Sequence, residues 1–284
     1  MPENTKIAWI TGASSGIGAA TALRLVKDGW IVAATARSED KIETLVHHVE
    51  AFGGSGVGRI VNYPGDVTDA TQMAEIVEKI EHELGAIDLA ILNAGILHTD
   101  TYETFNAALL KQQYEVNVFG TAHCLEPLLR VFRARNRGHV AIVASMAGYR
   151  GLPRMISYGS SKAALIHMAE SLAAETRGTG IRVQVITPGF VNTPMIKGLD
   201  FDKPMMMDVD SAAEDLIRGL NGGFFEVSFP WAFSWAAKIL GLLPDQAYIW
   251  AIRKIKDWEL RKNDHDTGHQ DPKDQSGDGV SKAA

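Results

Sequence analysis

The sequence predicts an α/β fold: a doubly wound parallel sheet of about seven strands with helices on both faces. Three observations predict it. Short apolar runs alternate with helix-period segments for about 225 residues. The strand-like runs are apolar at nearly every position, as in a parallel sheet covered on both faces. The segments between them are long enough to be right-handed crossover helices. Composition permits such a core: 284 residues, 46% hydrophobic and 22% charged, suffice without disulfides.

The elements follow in order. "KIAWI" (6–10) is an apolar strand stopped by "TG", and "IGAATALRLVKDG" (17–29) has helical period and ends at glycine. "WIVAATA" (30–36) is the second strand, and "EDKIETLVHHVEAF" (39–52) an amphipathic helix halted by "GGSG". "GRIVNYPGDV" (58–67) carries the third strand. The next helix, 69–85, opens on Asp69 as N-cap and closes on Gly85. "AIDLAILNAG" (86–95) holds the fourth strand, and 106–135 read as one long helix. "GHVAIVAS" (138–145) is the fifth strand, 156–178 a helix, and "GIRVQVITPG" (180–189) the sixth strand. A helix at 211–223 and a last strand, "FFEVSF" (224–229), complete the sheet. No internal repeat is present.

Several function classes are disfavoured. A net charge of −6 gives no nucleic-acid footprint. The start, "MPENTKIAWITG", lacks the form of a signal peptide, and no apolar run is long enough to span a membrane. The lone cysteine, Cys124, cannot form an internal disulfide and reads as a small core hydrophobe, in keeping with a cytoplasmic protein.

In a doubly wound sheet, ligands sit at the carboxyl ends of the strands. There the first strand gives way to "TGASSGIG", with Gly12, Gly16 and Gly18 in the spacing G-x-x-x-G-x-G. Glycines let the backbone approach a pyrophosphate closely, and the helix N-terminus behind them favours anions. "NAG", Asn93–Ala94–Gly95, follows the fourth strand, and Asn117 lies in the long helix. Ser145 closes the fifth strand, Tyr158 comes thirteen residues later and Lys162 four after that. Pro188 and Gly189 follow the sixth strand, with Thr193 beyond. Taken singly these residues are unremarkable: a strand-end cap, a solvated helix amide, turn residues. Their order and spacing together are not.

Tyr158 and Lys162 share one helix face. A phenol near pKa 10 is a poor proton carrier at neutral pH, and a nearby ammonium is expected to lower it. Ser145 can hold a substrate oxygen toward the phenol. The set resembles the short-chain dehydrogenase/reductase family over roughly residues 5–228. That resemblance implies a Rossmann-type domain with Asn117, Ser145, Tyr158 and Lys162 as the catalytic group. It implies a nicotinamide dinucleotide on Gly12, Ser14, Ser15, Gly16, Ile17 and Gly18. Asp66 and Val67 would meet the adenine, and Asn93, Ala94 and Gly95 would line the cofactor. Pro188, Gly189, Val191 and Thr193 would hold its carboxamide and diphosphate end. Lys162 and Tyr158 would also touch the nicotinamide ribose, and Asn117 would hold a relay water.

The second strand closes on Ala36 and Arg37, where NAD-preferring relatives carry an acid. A guanidinium there suits a ribose phosphate, so NADP(H) is expected. Ser15 stands where many relatives place a second basic residue, which leaves NAD(H) open. The expected reaction interconverts a carbonyl, a lipophilic ketone or aldehyde, and its alcohol. The alternatives are an NAD-linked alcohol dehydrogenase of the same family and a non-catalytic dinucleotide sensor. The segment 194–210 is the expected lid, with Met205–Met207 as an adaptable apolar wall.

After residue 228 the pattern changes. Residues 229–262 form an aromatic and basic extension, and 229–258 hold four of the six tryptophans. This stretch reads as packing on the domain, as an interface or access element, or as a peripheral membrane contact. The family implies a homodimer or homotetramer. The polar stretch 263–284 is expected to be disordered, with His265 and His269 solvated rather than binding a metal.

Overall fold

The computed structural model describes residues 5–52, 58–199 and 202–266. Seven strands form one sheet in the order β3-β2-β1-β4-β5-β6-β7. They are β1 (Ile7–Thr11), β2 (Ile31–Thr35), β3 (Arg59–Asn62), β4 (Leu89–Leu92), β5 (Gly138–Val143), β6 (Ile181–Pro188) and β7 (Glu226–Phe229). Every pairing is parallel, with Thr11 opposite both Thr35 and Leu92. The chain order reverses at β1, between β2 and β4, which opens a crevice at the carboxyl ends of β1 and β4.

The strand alternation sorts the core into two layers. On one face Trp9, Ala90, Leu92, Val140 and Ile142 pack against α3 (Ala70–Glu83), α5 (Gly120–Arg135) and α6 (Ile156–Glu175). On the other, Ile10, Ala34, Ile91 and Val143 meet α1 (Gly16–Lys27), α2 (Glu39–Phe52) and α7 (Val209–Asn221). Each fully buried Leu, Ile or Val contributes about 1.5–3 kcal/mol, so these two layers dominate the stability. Trp9 is buried without polar cost, because its indole donates to Thr35 Oγ1 at 2.9 Å. Cys124 lies in the first layer, and burial pushes its thiol well up, away from reactivity.

Asp69 caps α3 as expected, accepting from Gln72 N at 3.0 Å. The single long helix expected over 106–135 is instead two. A π-helical turn, Glu115–Phe119, separates α4 (Ala107–Tyr114) from α5. Asn117 sits inside that turn and is fully buried, not solvated. Helical periodicity does not reveal such a turn, which leaves the apolar pattern of the flanking helices in place.

By its internal contacts the chain divides into two units, residues 1–243 and 244–284. The first ends with α8 (Trp231–Gly241). The second contains α9 (Asp245–Asp266), in which Pro244 O accepts from Tyr248 N at 2.9 Å and the Lys254 ammonium lies 6.0 Å from the Trp250 ring centre. Of the stretch 263–284 expected to be disordered, residues 263–266 belong to α9, and residues 267–284 lie outside the described residues, as do His269 and the His265 side chain. Among the described residues no helix is long and apolar enough to cross a membrane.

Candidate active site

The glycine loop is shaped by close contacts rather than by turn preference alone. Gly12 and Gly16 have φ of +65° and +54°. A Cβ on Gly12 would stand 2.8 Å from Ala94 Cα, and one on Gly18 would run into Gly12 O. Asn93 explains the proximity of the two loops: its amide donates to Thr11 O at 3.1 Å and Gly12 O at 3.2 Å. The Asn93 and Ala94 amides both donate to Thr11 Oγ1 at 3.1 Å. Thr11 thus joins the ends of β1 and β4, a role that sequence reasoning passed over although the residue opens the loop motif.

Behind the loop, α1 begins at Ser15, which caps nothing with its side chain, and no acid lies in the first turn. The first-turn amides are therefore open to an anion. Thr193 closes this end: a Cβ on Gly16 would meet Thr193 Cγ2 at 3.1 Å. Ser14 and Ile17 lie half-buried in the same loop.

Beyond β2, Ala36 is buried and Arg37 exposed. Gly65 N donates to Ala36 O at 3.1 Å, which sets the β2 and β3 ends side by side. Asp66 there accepts from Thr68 N at 3.0 Å and Thr68 Oγ1 at 2.9 Å. Val67 is buried, and its carbonyl accepts from His123 Nδ1 at 2.9 Å.

At the centre, Asn117 Oδ1 accepts from Ile96 N at 2.8 Å, and its Nδ2 donates to Ile96 O and Ser161 Oγ at 3.0 Å each. The π turn brings this amide between the β4 loop and α6. Ser161 Oγ in turn donates to Tyr158 O at 2.7 Å. Ser161 is a residue that the sequence motifs do not single out, because its spacing from Asn117 carries no signal. Asp100 is a second missed residue. It is 2% exposed and accepts from Ser157 N at 3.0 Å and from the Ser157 hydroxyl, so it fixes the first turn of α6, the turn that carries Tyr158.

Ser145 heads a short 3-10 turn, accepting from Ala147 N at 3.2 Å and donating to Pro188 O at 3.5 Å. Gly148 lets that turn press on α6, since a Cβ there would stand 2.7 Å from Lys162 C. Tyr158 and Lys162 are 7% and 4% exposed. The Lys162 ammonium lies 5.8 Å from the Tyr158 ring centre and donates to Val143 O at 2.9 Å. Burial pushes the phenol up to about 12, against the Ser145 hydrogen bond, and burial drops Lys162 to about 8. Desolvation penalises the charged form of both groups, and the one influence that lowers the phenol is the Ser145 hydrogen bond.

Gly95 stands beside this group, its Cβ direction pointing to Asn117 Oδ1 at 3.1 Å and Lys162 Nζ at 3.4 Å. Any side chain there would fill the space between the glycine loop and Lys162. Pro188 ends β6, Gly189 N donates to Phe229 O at 2.8 Å, and Val191 bridges to Met207. Glycine cradle, open helix end and buried Tyr-Lys pair thus share one sheet edge, and the donor set fits a dinucleotide. A cavity lined by Lys6, Trp30 and His139 lies at the opposite edge and contains none of these residues. No cluster of metal-ligating side chains occurs among the described residues.

Comparison with known proteins gives concordant matches. The family model for short chain dehydrogenases matches residues 6–203. An uncharacterized oxidoreductase of Myxococcus xanthus (strain DK1622) is 34% identical over 251 residues, 88% of this chain and 98% of that protein. Among solved structures, levodione reductase superposes with a TM-score of 0.74 at 25% identity, covering 81% of this chain and 98% of the other. ElxO with NADP bound superposes with a TM-score of 0.70 at 25% identity, covering 81% and 100%.

Proposed function

The chain belongs to the short-chain dehydrogenase family, and from that premise we propose that it is an NADP(H)-dependent oxidoreductase interconverting a lipophilic ketone or aldehyde and its alcohol. The observation that carries this reading is the convergence of Ser145, Tyr158, Lys162 and Asn117 beside the glycine cradle. NADPH bound along Gly12–Gly18, Asn93–Gly95 and Pro188–Thr193 would supply a hydride to the carbonyl carbon. Ser145 holds the carbonyl oxygen, and Tyr158 gives it a proton. With the phenol near 12, Tyr158 is protonated at neutral pH, the state that reduction needs. Lys162 orients the cofactor ribose and stabilises the phenolate left behind, and Asn117 fixes the geometry of the group.

NADP(H) preference rests on the exposed Arg37 and on the absence of a carboxylate at Ala36. Reversing the charge tests it. Arg37→Asp should weaken NADPH binding about ten- to hundredfold and leave NADH nearly unchanged. Equal loss for both cofactors removes the assignment and returns the NAD-linked alternative.

A lipophilic substrate is supported by the apolar residues exposed beyond β5 and β6: Leu152, Ile156, Met195, Met205 and Met206. Part of the expected lid, residues 200–201, lies outside the described residues. The reading includes a cytoplasmic homodimer or homotetramer with peripheral membrane contact through 229–258. Support for that contact is the outward stripe of α8, where Trp231, Trp235, Ile239 and Leu242 are 71%, 62%, 62% and 83% exposed. Co-sedimentation of the full chain with anionic vesicles should fall in Trp231→Ser/Trp235→Ser; unchanged sedimentation discards the membrane contact.

A further inference from the structure

The inward face of α8 meets the catalytic loops. Gly189 directs its Cβ position at three groups: Phe233 Cδ1 at 3.2 Å, Pro230 Cδ at 3.3 Å and Met146 Sδ at 3.4 Å. Phe190 and Phe233 lie with ring centres 6.1 Å apart, tilted by 33°. Met146 is the residue after Ser145, and Phe190 is the second after Pro188, whose carbonyl accepts from Ser145. One ring of α8 therefore lies against the Gly189–Phe190 segment, and Gly189 of that segment also faces Met146, the residue after Ser145.

Helix α8 is held there by polar contacts one and two turns along. Tyr149, four residues after Ser145, places its hydroxyl 3.0 Å from Ser234 Oγ and 2.8 Å from Thr187 Oγ1, and donates to Glu226. Thr187 Oγ1 donates to Glu226 at 2.7 Å, and the Lys238 ammonium pairs with the same carboxylate. Burial would raise the Glu226 carboxyl, but the hydrogen bonds from Lys238, Tyr149 and Thr187 outweigh it and hold it below the usual range. Arg150 Nη1 donates to Gly241 O and Leu243 O at 2.6 Å each, which caps the helix end. Pro230, Phe233, Ser234 and Lys238 share this face, and the exposed tryptophans lie on the other. These contacts tie α8 to β7 through Glu226 and to the segment after Ser145 through Tyr149 and Arg150.

We propose that α8 forms the far wall of the substrate pocket and that Phe233, fixed by this latch, limits the bulk of the group borne on the substrate's carbonyl carbon. This rests on the oxidoreductase reading above. Phe233 is a specificity-determining residue here, and it moves no proton. The substrate class that fits is a ketone or aldehyde with an unbranched or small apolar substituent on that side.

The experiment is kcat/KM for a series of ketones of increasing substituent bulk, with NADPH, for the full-length wild type, Phe233→Ala, Phe233→Leu and Phe233→Trp. Phe233→Ala should shift the ratio of bulky to small ketone by about tenfold toward the bulky one, with Phe233→Leu between. Phe233→Trp should shift it the opposite way, and KM for NADPH should stay the same in all. An unchanged ratio in Phe233→Leu and Phe233→Trp overturns the proposal, even if Phe233→Ala fails to fold. A wild type that binds NADPH but reduces none of the series overturns the oxidoreductase reading and this inference together.

Discussion

Tyr158→Phe should lower kcat for carbonyl reduction by about 10²- to 10⁴-fold, with NADPH affinity changed less than about threefold. The substitution removes one oxygen from a buried ring. Tyr158 is 7% exposed, and its backbone is held by Ser161 and, one residue earlier, by Asp100 through Ser157. The ring therefore stays where it is. Only the proton and the hydrogen bond to Ser145 are lost, so the change falls on the chemical step. Turnover and cofactor affinity measured on the same preparation separate this from unfolding. Wild-type turnover in the variant would remove the phenol from the mechanism.

The second large effect combines lost activity with gained stability. Lys162 is buried, and its pKa falls from 10.5 to about 8. The unfolded chain holds this proton up to pH 10.5, whereas the folded chain releases it near 8. Stability thus rises with pH between those values, and the buried charge costs its full amount below pH 8. At about 1.4 kcal/mol per pKa unit, the cost at pH 7 is roughly 3 kcal/mol. Lys162→Met removes it but orphans Val143 O, at about 1–3 kcal/mol. A net gain of roughly 1 kcal/mol at pH 7 is expected, a few degrees in Tm. The gain should shrink as pH rises from 8, vanish near about pH 9 and turn into a loss that is complete by 10.5, where only the lost hydrogen bond remains. Activity should fall at least about 10²-fold. A lower Tm for the methionine variant at pH 7 would show that the lysine charge is satisfied in the fold.

The elements of the sheet were legible because their signals are local. Apolar runs, Asp69 and the glycine stops act within a few residues of where they stand. The motif residues were legible for a different reason. The glycine loop, Asn93–Gly95, Ser145 and Pro188–Gly189 each follow a strand, and a parallel sheet delivers its strand ends to one edge, whereas Tyr158 and Lys162 lie on α6 and Asn117 in the π turn. What the sequence hid was long-range. The π turn at Glu115–Phe119 holds Asn117, which reaches Ile96 and Ser161, 21 and 44 residues away. Asp100 acts on Ser157 across 57 residues. The Tyr-Lys spacing puts both groups on one helix face, and in the chain itself burial sets the direction of the phenol's shift. Spacing gives a shared face, while depth of burial decides which charged forms the fold tolerates. The C-terminal extension was ambiguous because α8 has two faces, one latched to Tyr149, Arg150 and Glu226 and the other bearing Trp231 and Trp235 in the open.

The most direct test is the rate of NADPH oxidation by the full chain across a panel of lipophilic ketones and aldehydes, with NADH run in parallel. Carbonyl-dependent oxidation with matching alcohol formation is expected, and with higher kcat/KM for NADPH than for NADH. Tight binding of either cofactor with no carbonyl-dependent oxidation across the panel would contradict it and leave a dinucleotide sensor.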